Sequence, residues 1–164
     1  MKVLLIGDIH IPDKSEEIPK EFIEKAEVCD LIICTGDLTE DRVLDRLMKI
    51  KKIRAVKGEK DYIDLPQQDL VGVEKMKFGV VHGNQIEEDE DKDRTEELME
   101  FADLLGADVL VTGHTHQPFR TEKNGKVLLN PGSATGVDGK KKTCMVVEVQ
   151  GTDMVNCDII VSEK

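Results

Sequence analysis

The sequence predicts an α/β fold in four layers, an α/β/β/α sandwich of two mixed sheets flanked by helices. Three observations predict it. Residues 2 to 58 alternate short apolar runs with amphipathic ones, the pattern of strand, helix, strand, helix, strand that builds a parallel sheet. Residues 70 to 83 hold two apolar runs with almost no room for a helix between them, which marks an antiparallel hairpin. The last third carries a tight-turn dipeptide and a closing pair of apolar runs, so a second set of strands joins by hairpins.

Taken in order, KVLLIG (2 to 7) reads as a buried strand. IPKEFIEKAEV (18 to 28) spaces Ile18, Phe22, Ile23 and Ala26 as one face of a helix, with Ser15 as its expected cap. DLIICT (30 to 35) is a second strand, TEDRVLDRLMKI (39 to 50) a second helix with Thr39 or Glu40 near its start, and IRAVKG (53 to 58) a third strand. LVGVEKMKFGVVHG (70 to 83) is the hairpin. DRTEELMEFADLLGA (93 to 107) returns to helix, with Leu98, Phe101, Ala102 and Leu105 on one face, and DVLVTG (108 to 113) is another buried strand. Asn124-Gly125 predicts a two-residue hairpin turn, and TCMVVEV and MVNCDII close the fold as a strand pair.

At 164 residues and 39% apolar content, the chain fits one domain, 1 to 164, large enough for its own core. A net charge of -11 opposes binding of duplex nucleic acid, which needs clustered Lys and Arg. No stretch approaches the roughly 20 apolar residues of a membrane span, and the start is too short in apolar character for a signal peptide, so a cytoplasmic protein with no membrane insertion is expected. Cys29, Cys34, Cys144 and Cys157 lie singly near or within apolar segments, as reduced core thiols do.

The four histidines give the functional signal. His10, His82, His114 and His116 all follow directly on apolar runs, at strand exits, and the acids nearest the other exits are Asp8, Asp37, Glu59 and Asp61. Ligands bind at the carboxyl ends of strands in open α/β sheets, so groups far apart in sequence converge there. Three of these carboxylates with four imidazoles suit a pair of divalent cations, because one bridging carboxylate spans two metals about 3.5 to 4 Å apart. Mixed imidazole and carboxylate ligation favours Mn, Fe, Co, Ni or Zn over Mg or Ca. Glycines at 7, 36, 58, 83 and 113 are expected to let the backbone approach the ions.

In order along the chain, Asp8-Ile9-His10, Gly36-Asp37, Gly58-Glu59-Lys60-Asp61, His82 and Gly113-His114-Thr115-His116 resemble the signature of the calcineurin-like metallophosphoesterases. The resemblance runs from residue 1 to about 150 and includes NPGSATG (130 to 136), typical of the small single-domain phosphodiesterase branch and the related subunit of retromer. It implies that Asp8, His10, Asp37 and His116 hold one metal and that Asp37, Glu59, His82 and His114 hold the other, Asp37 bridging. It also implies a metal-bound water or hydroxide attacking phosphorus in line, with Mn the foremost candidate among the ions and a small phosphodiester or nucleotide-like compound as substrate. Asp37 and Lys60 are the candidate catalytic residues.

Two positions depart from the family pattern. Glu59 stands where Asn is usual, and Lys60 where a His often assists the leaving group. The added carboxylate holds metal tightly while lowering the site's attraction for phosphate. Lys60 is read as a cationic clamp on a phosphoryl oxygen, or else as a solvated lysine or one paired to Asp61; at an ordinary pKa of about 10.4 it is a reluctant general acid. The retromer subunit supplies a second reading, a metal-binding scaffold with little or no turnover whose apolar surface docks a protein partner, or a second copy of the chain. The acidic run 87 to 93 reads as a solvated helix approach and lacks the spacing of a calcium loop. NPGS either brings Ser133 toward the site or closes a strand. No phosphate loop of the G-x-x-x-x-G-K-[ST] type and no nucleophile elbow occurs.

Overall fold

The structure, a computed structural model, describes residues 1–86 and 93–163, so the acidic run lies outside the described residues except for Asp93. Among the described residues, ten strands form two five-stranded sheets. In the first, β1 (Lys2–Ile6), β2 (Leu31–Cys34) and β3 (Ile53–Ala55) run parallel, and β9 (Lys142–Gln150) and β10 (Asp153–Ser162) extend it antiparallel beyond β1. The second has the order β4 (Gln68–Val73), β5 (Met76–Val81), β6 (Val109–Val111), β8 (Lys126–Asn130), β7 (Phe119–Lys123), with β5, β6 and β8 parallel and an antiparallel strand on each edge. The expected hairpins are all present. Asn124 and Gly125 both adopt positive φ, as a two-residue primed turn requires.

Alternation along each strand builds the layers. Val3 and Leu5 of β1 and Leu31 and Ile33 of β2 pack against Phe78, Val80, Val109 and Val111 to form the core between the sheets. Their neighbours Leu4, Ile6, Ile32 and Cys34 point the other way, onto Phe22 and Ala26 of α1 (Lys20–Glu27) and Val43 and Leu47 of α2 (Asp41–Ile50). Val81, Leu110 and Leu128 do the same for Leu98, Met99 and Ala102 of α3 (Arg94–Leu105). The strands are apolar on both faces because both faces are covered. Phe22 and Phe78 are fully buried, each contributing about 1.5–3 kcal/mol of transfer free energy.

Some boundaries differ from expectation. Ser15 does not cap α1: its hydroxyl donates to the Glu17 carbonyl, and the helix is entered through Pro19. α2 begins after Glu40, without a side-chain cap. α3 turns Met99 and Glu97 inward as well as Leu98 and Ala102, Glu97 being paired to Arg94 at 2.8 Å. It ends in a Schellman motif, with Ala107 N–H to the Ala102 carbonyl and Gly106 N–H to that of Asp103. β3 stops at Ala55, since beyond Val56 the backbone leaves the sheet and Lys57 N–H bonds the Pro66 carbonyl. That departure delivers residues 58 to 61 to the ends of β1 and β2. The four cysteines are free, three of them buried.

Candidate metal centre

The candidate ligands stand on the carboxyl edges of both sheets. Asp8 and His10 follow β1, Asp37 follows β2 and Glu59 the exit of β3; His82 follows β5, and His114 and His116 follow β6. Side chains from the two sheets therefore meet at one end of the sandwich.

Backbone conformation aims them. Asp8, His10, Asp37, His114 and His116 all have φ between 46° and 68°, a region that non-glycine residues seldom enter, and five of the nine such residues described are candidate ligands. The loops are pinned to one another. Asp8 N–H donates to the Gly36 carbonyl, and Ile9 and His10 N–H to that of Asp37. Asp61 is a peg rather than a ligand: buried, it accepts the N–H groups of Asp37, Gly58 and Thr39 at 2.7–2.8 Å. The glycines turn the chain sharply at 36 and 83, where φ is 101° and 115°, and they let loop approach loop. Gly36 has φ 101°, and a Cβ there would lie 2.6 Å from Gly58 N; a Cβ on Gly58 would collide with the Asp37 carboxylate.

The side chains converge as two linked groups. Asp8, His10 and His116 present ligand atoms within 4.8 Å of one another, and so do Asp8, Asp37 and His82. Asp8 belongs to both, while Asp37 Oδ2 lies 3.2 Å from His10 Nε2 and 3.4 Å from His82 Nε2, reaching one imidazole of each group. The imidazoles pair edge to face in the same sense, His10 with His116 and His82 with His114, both at 5.4 Å between centroids. Glu59 and His114 face each other at 3.7 Å on the rim, 47% and 39% exposed, outside the two compact groups.

These residues fit divalent cations. His10 Nε2 and His82 Nε2 are buried, point among carboxylates and have no hydrogen-bond partner. His82 Nδ1 lies 2.8 Å from the Thr35 carbonyl, which only accepts, so Nδ1 carries a proton and Nε2 is the atom offered inward. Charge agrees. Burial raises the Asp37 pKa, but the imidazoles of His10 and His82 beside its carboxylate outweigh it and hold the carboxyl far below the ordinary range. Burial likewise lowers that of His82, yet the nearby carboxylates of Asp37 and Asp8 leave it raised; Asp8 and Asp138 raise that of His116 against its partial burial. Protons are held where positive charge is wanted.

Lys60 donates its backbone N–H to Asp37 Oδ1 at 2.7 Å, while its side chain is exposed and makes no ion pair among the described residues. The expected alternative of a pair with Asp61 is not formed, since backbone donors engage both Asp61 oxygens. NPGSATG closes over the ligand loops from behind: Ser133 Oγ donates to the Asp8 carbonyl, Thr135 Oγ1 to that of Ile9, and Asn130 Nδ2 to that of Gly113. One residue beside the site is not legible in the sequence: Asp138 Oδ2 lies 3.2 Å from His116 Nδ1, and no local pattern signals it. Tyr62, the chain's one tyrosine, follows the GEKD motif and is 92% exposed.

Residues 1–152 match the calcineurin-like phosphoesterase superfamily domain. A probable metallophosphoesterase of Methanothermobacter thermautotrophicus is 36% identical over 98% of this chain and 92% of its own length, and another of Methanocaldococcus jannaschii is 36% identical over 92% and 77%. Among solved structures, Vps29 of Entamoeba histolytica in complex with Zn2+ superposes with a TM-score of 0.84 at 31% identity, over 98% of this chain and 99% of that one. Vacuolar protein sorting 29 of Cryptosporidium parvum gives 0.84 at 30% identity, over 98% and 96%. Sequence match, fold and the ordered candidate ligands at the strand exits agree, and the chain belongs to the calcineurin-like phosphoesterase superfamily.

Proposed function

We propose that the protein is a phosphodiesterase built on a binuclear divalent-metal centre. The observation that carries this reading is the buried Asp8 and Asp37 pair, set among imidazoles whose inward nitrogens at His10 and His82 have no other partner. Asp8, His10, Asp37 and His116 would hold one ion and Asp37, Glu59, His82 and His114 the other, with Mn the foremost candidate and Ni, Co, Zn or Fe alternatives. When bound, the two cations supply Lewis acidity toward phosphoryl oxygens and a water of lowered pKa as nucleophile.

The chain's own residues do the rest. Asp37, placed between the two groups, sets their spacing, and the loops around it supply a fixed frame that spends no reorganisation during reaction. Lys60, whose exposed side chain makes no ion pair among the described residues and whose backbone N–H holds Asp37, takes a phosphoryl oxygen as a point charge. A diester carries one negative charge where a monoester carries two, which suits a site made less positive by Glu59. Tyr62 offers the one exposed ring beside the motif, in keeping with a nucleotide-like diester. We place the activity in a single domain, 1 to 164, working in the cytoplasm; no described helix is long and apolar enough to cross a membrane.

One observation favours a scaffold as the second reading. Strand β10 is a sheet edge with Val155, Ile159 and Val161 exposed, and the fold is close to that of Vps29. Hydrolysis of an aryl phosphodiester and an aryl phosphomonoester by chelator-stripped protein resupplied with Mn, Ni, Co, Zn or Mg separates the two. Metal-dependent cleavage with diester preferred is the expected result. Ions bound with no turnover of either ester would transfer the assignment to the scaffold.

A further inference from the structure

The two imidazoles with a partner on their outer nitrogen differ in what that partner is. For His82 it is the buried carbonyl of Thr35, part of the fold itself. For His116 it is the Asp138 carboxylate, 63% exposed, 3.2 Å from Nδ1, while Nε2 of the same ring lies 3.5 Å from Asp8 Oδ1. The ring is thus held between two carboxylates, one on each nitrogen.

The placement of Asp138 is built. Its φ is 55°, in the left-handed region, and the turn that carries it is fixed by Val137 N–H donating to Ser133 Oγ. Ser133 Oγ in turn donates to the Asp8 carbonyl, so one hydroxyl ties the Asp138 loop to the loop that carries Asp8 and His10.

We propose that Asp138 is a positioning residue for metal binding, which fixes His116 with its proton on Nδ1 and its Nε2 lone pair directed to the ion shared with Asp8 and His10; this rests on the metal-centre reading above. A carboxylate on the outer nitrogen sets ring orientation and tautomer and makes the imidazole a stronger donor to the ion. The two ions are therefore held by different means, one through a backbone carbonyl that no substitution removes and one through a side chain that substitution can.

Asp138→Gly removes the carboxylate at a position whose positive φ glycine accepts without strain, and Asp138→Asn keeps an accepting oxygen without the charge. Manganese and zinc binding to the stripped full chain is measured by calorimetry, with visible absorption of the cobalt-loaded protein as an independent readout. Asp138→Gly is expected to weaken one ion by about tenfold to hundredfold and leave the other unchanged, with a shift of the cobalt bands. Asp138→Asn is expected to fall between Asp138→Gly and the wild type. In the metal-free protein below neutral pH, the hydrogen-bonded Nδ1 proton of His116 should be visible by NMR in the wild type and in Asp138→Asn and lost in Asp138→Gly. Wild-type affinities and unchanged cobalt bands in Asp138→Gly would overturn the proposal alone, whereas a wild-type chain that takes up no ion would overturn it together with the metal-centre reading.

Discussion

The inner cluster and the rim of the site are built by different rules. Asp8, His10, Asp37 and His82 are buried, aimed by left-handed backbone or a backbone carbonyl, and enclosed by loops that hydrogen-bond to one another. Glu59, Lys60 and Tyr62 share one exposed loop, and His114 faces Glu59 across the opening. The inner groups have one geometry available to them, while the outer ones retain rotamer freedom. The departures from the family pattern, Glu59 and Lys60, both fall on the rim. On the proposed reading, substitutions of the buried ligands act on whether ions bind, and changes to the loop of residues 59 to 62 act mainly on what a bound centre does.

The strongest attempt to break that division is Asp37→Asn. It removes a charge that both His10 and His82 face and should abolish hydrolysis together with binding of at least one ion, a loss beyond the roughly hundredfold expected from removing an outer partner. Full activity in this variant would end the assignment.

Proton competition sharpens the inner half. His82 and His116 hold protons above the usual histidine value of about 6.5, so each ion must displace them, and affinity should rise by up to about tenfold per pH unit for each proton displaced. In the stripped protein the sign reverses. A raised histidine stabilises the fold fully below its unfolded pKa, and that contribution is lost as pH rises through the folded one, so metal-free Tm should fall from mildly acidic to alkaline pH. Asp37 behaves oppositely: its depressed pKa contributes stability above the ordinary carboxylate range that is lost only as pH falls below it. Thermal unfolding with and without metal across that range checks both signs.

On the rim, Glu59→Asn with Lys60→His restores the family pattern. It should raise kcat toward a diester by about tenfold, less than the roughly hundredfold or more that a fully placed general acid contributes, without altering the number of ions bound. No change or a loss would mean that the site works by its own arrangement. The smallest effect belongs to Tyr62→Ala, expected to raise KM about fivefold for a nucleotide diester, corresponding to the lower end of base stacking, and to leave a dialkyl phosphate unaffected.

Much of this was legible in the sequence because strand exits are. An apolar run followed at once by His or Asp states both the element and the edge on which the residue lands, and His10, Asp37, His82 and His116 were read that way. The layers followed from the same runs, since strands covered on both faces show no polar alternation. What failed to show was set by contacts between distant segments. Ser15 resembles a cap, but the chain enters α1 through Pro19. Glu97 faces inward because Arg94, one turn before it, supplies the partner. Asp138 reaches His116 only because Ser133 fixes the intervening turn, and no local pattern around residue 138 records that bond.

The claim on which the rest depends is that two ions sit at the end of the sandwich where the ligand loops of both sheets meet, shared through the buried aspartates. Equilibrium dialysis of the stripped chain against manganese, followed by elemental analysis, tests it most directly. Two ions per chain at saturation, reduced to one or none in Asp37→Asn, is the predicted result. One ion or none in the wild-type chain would contradict it.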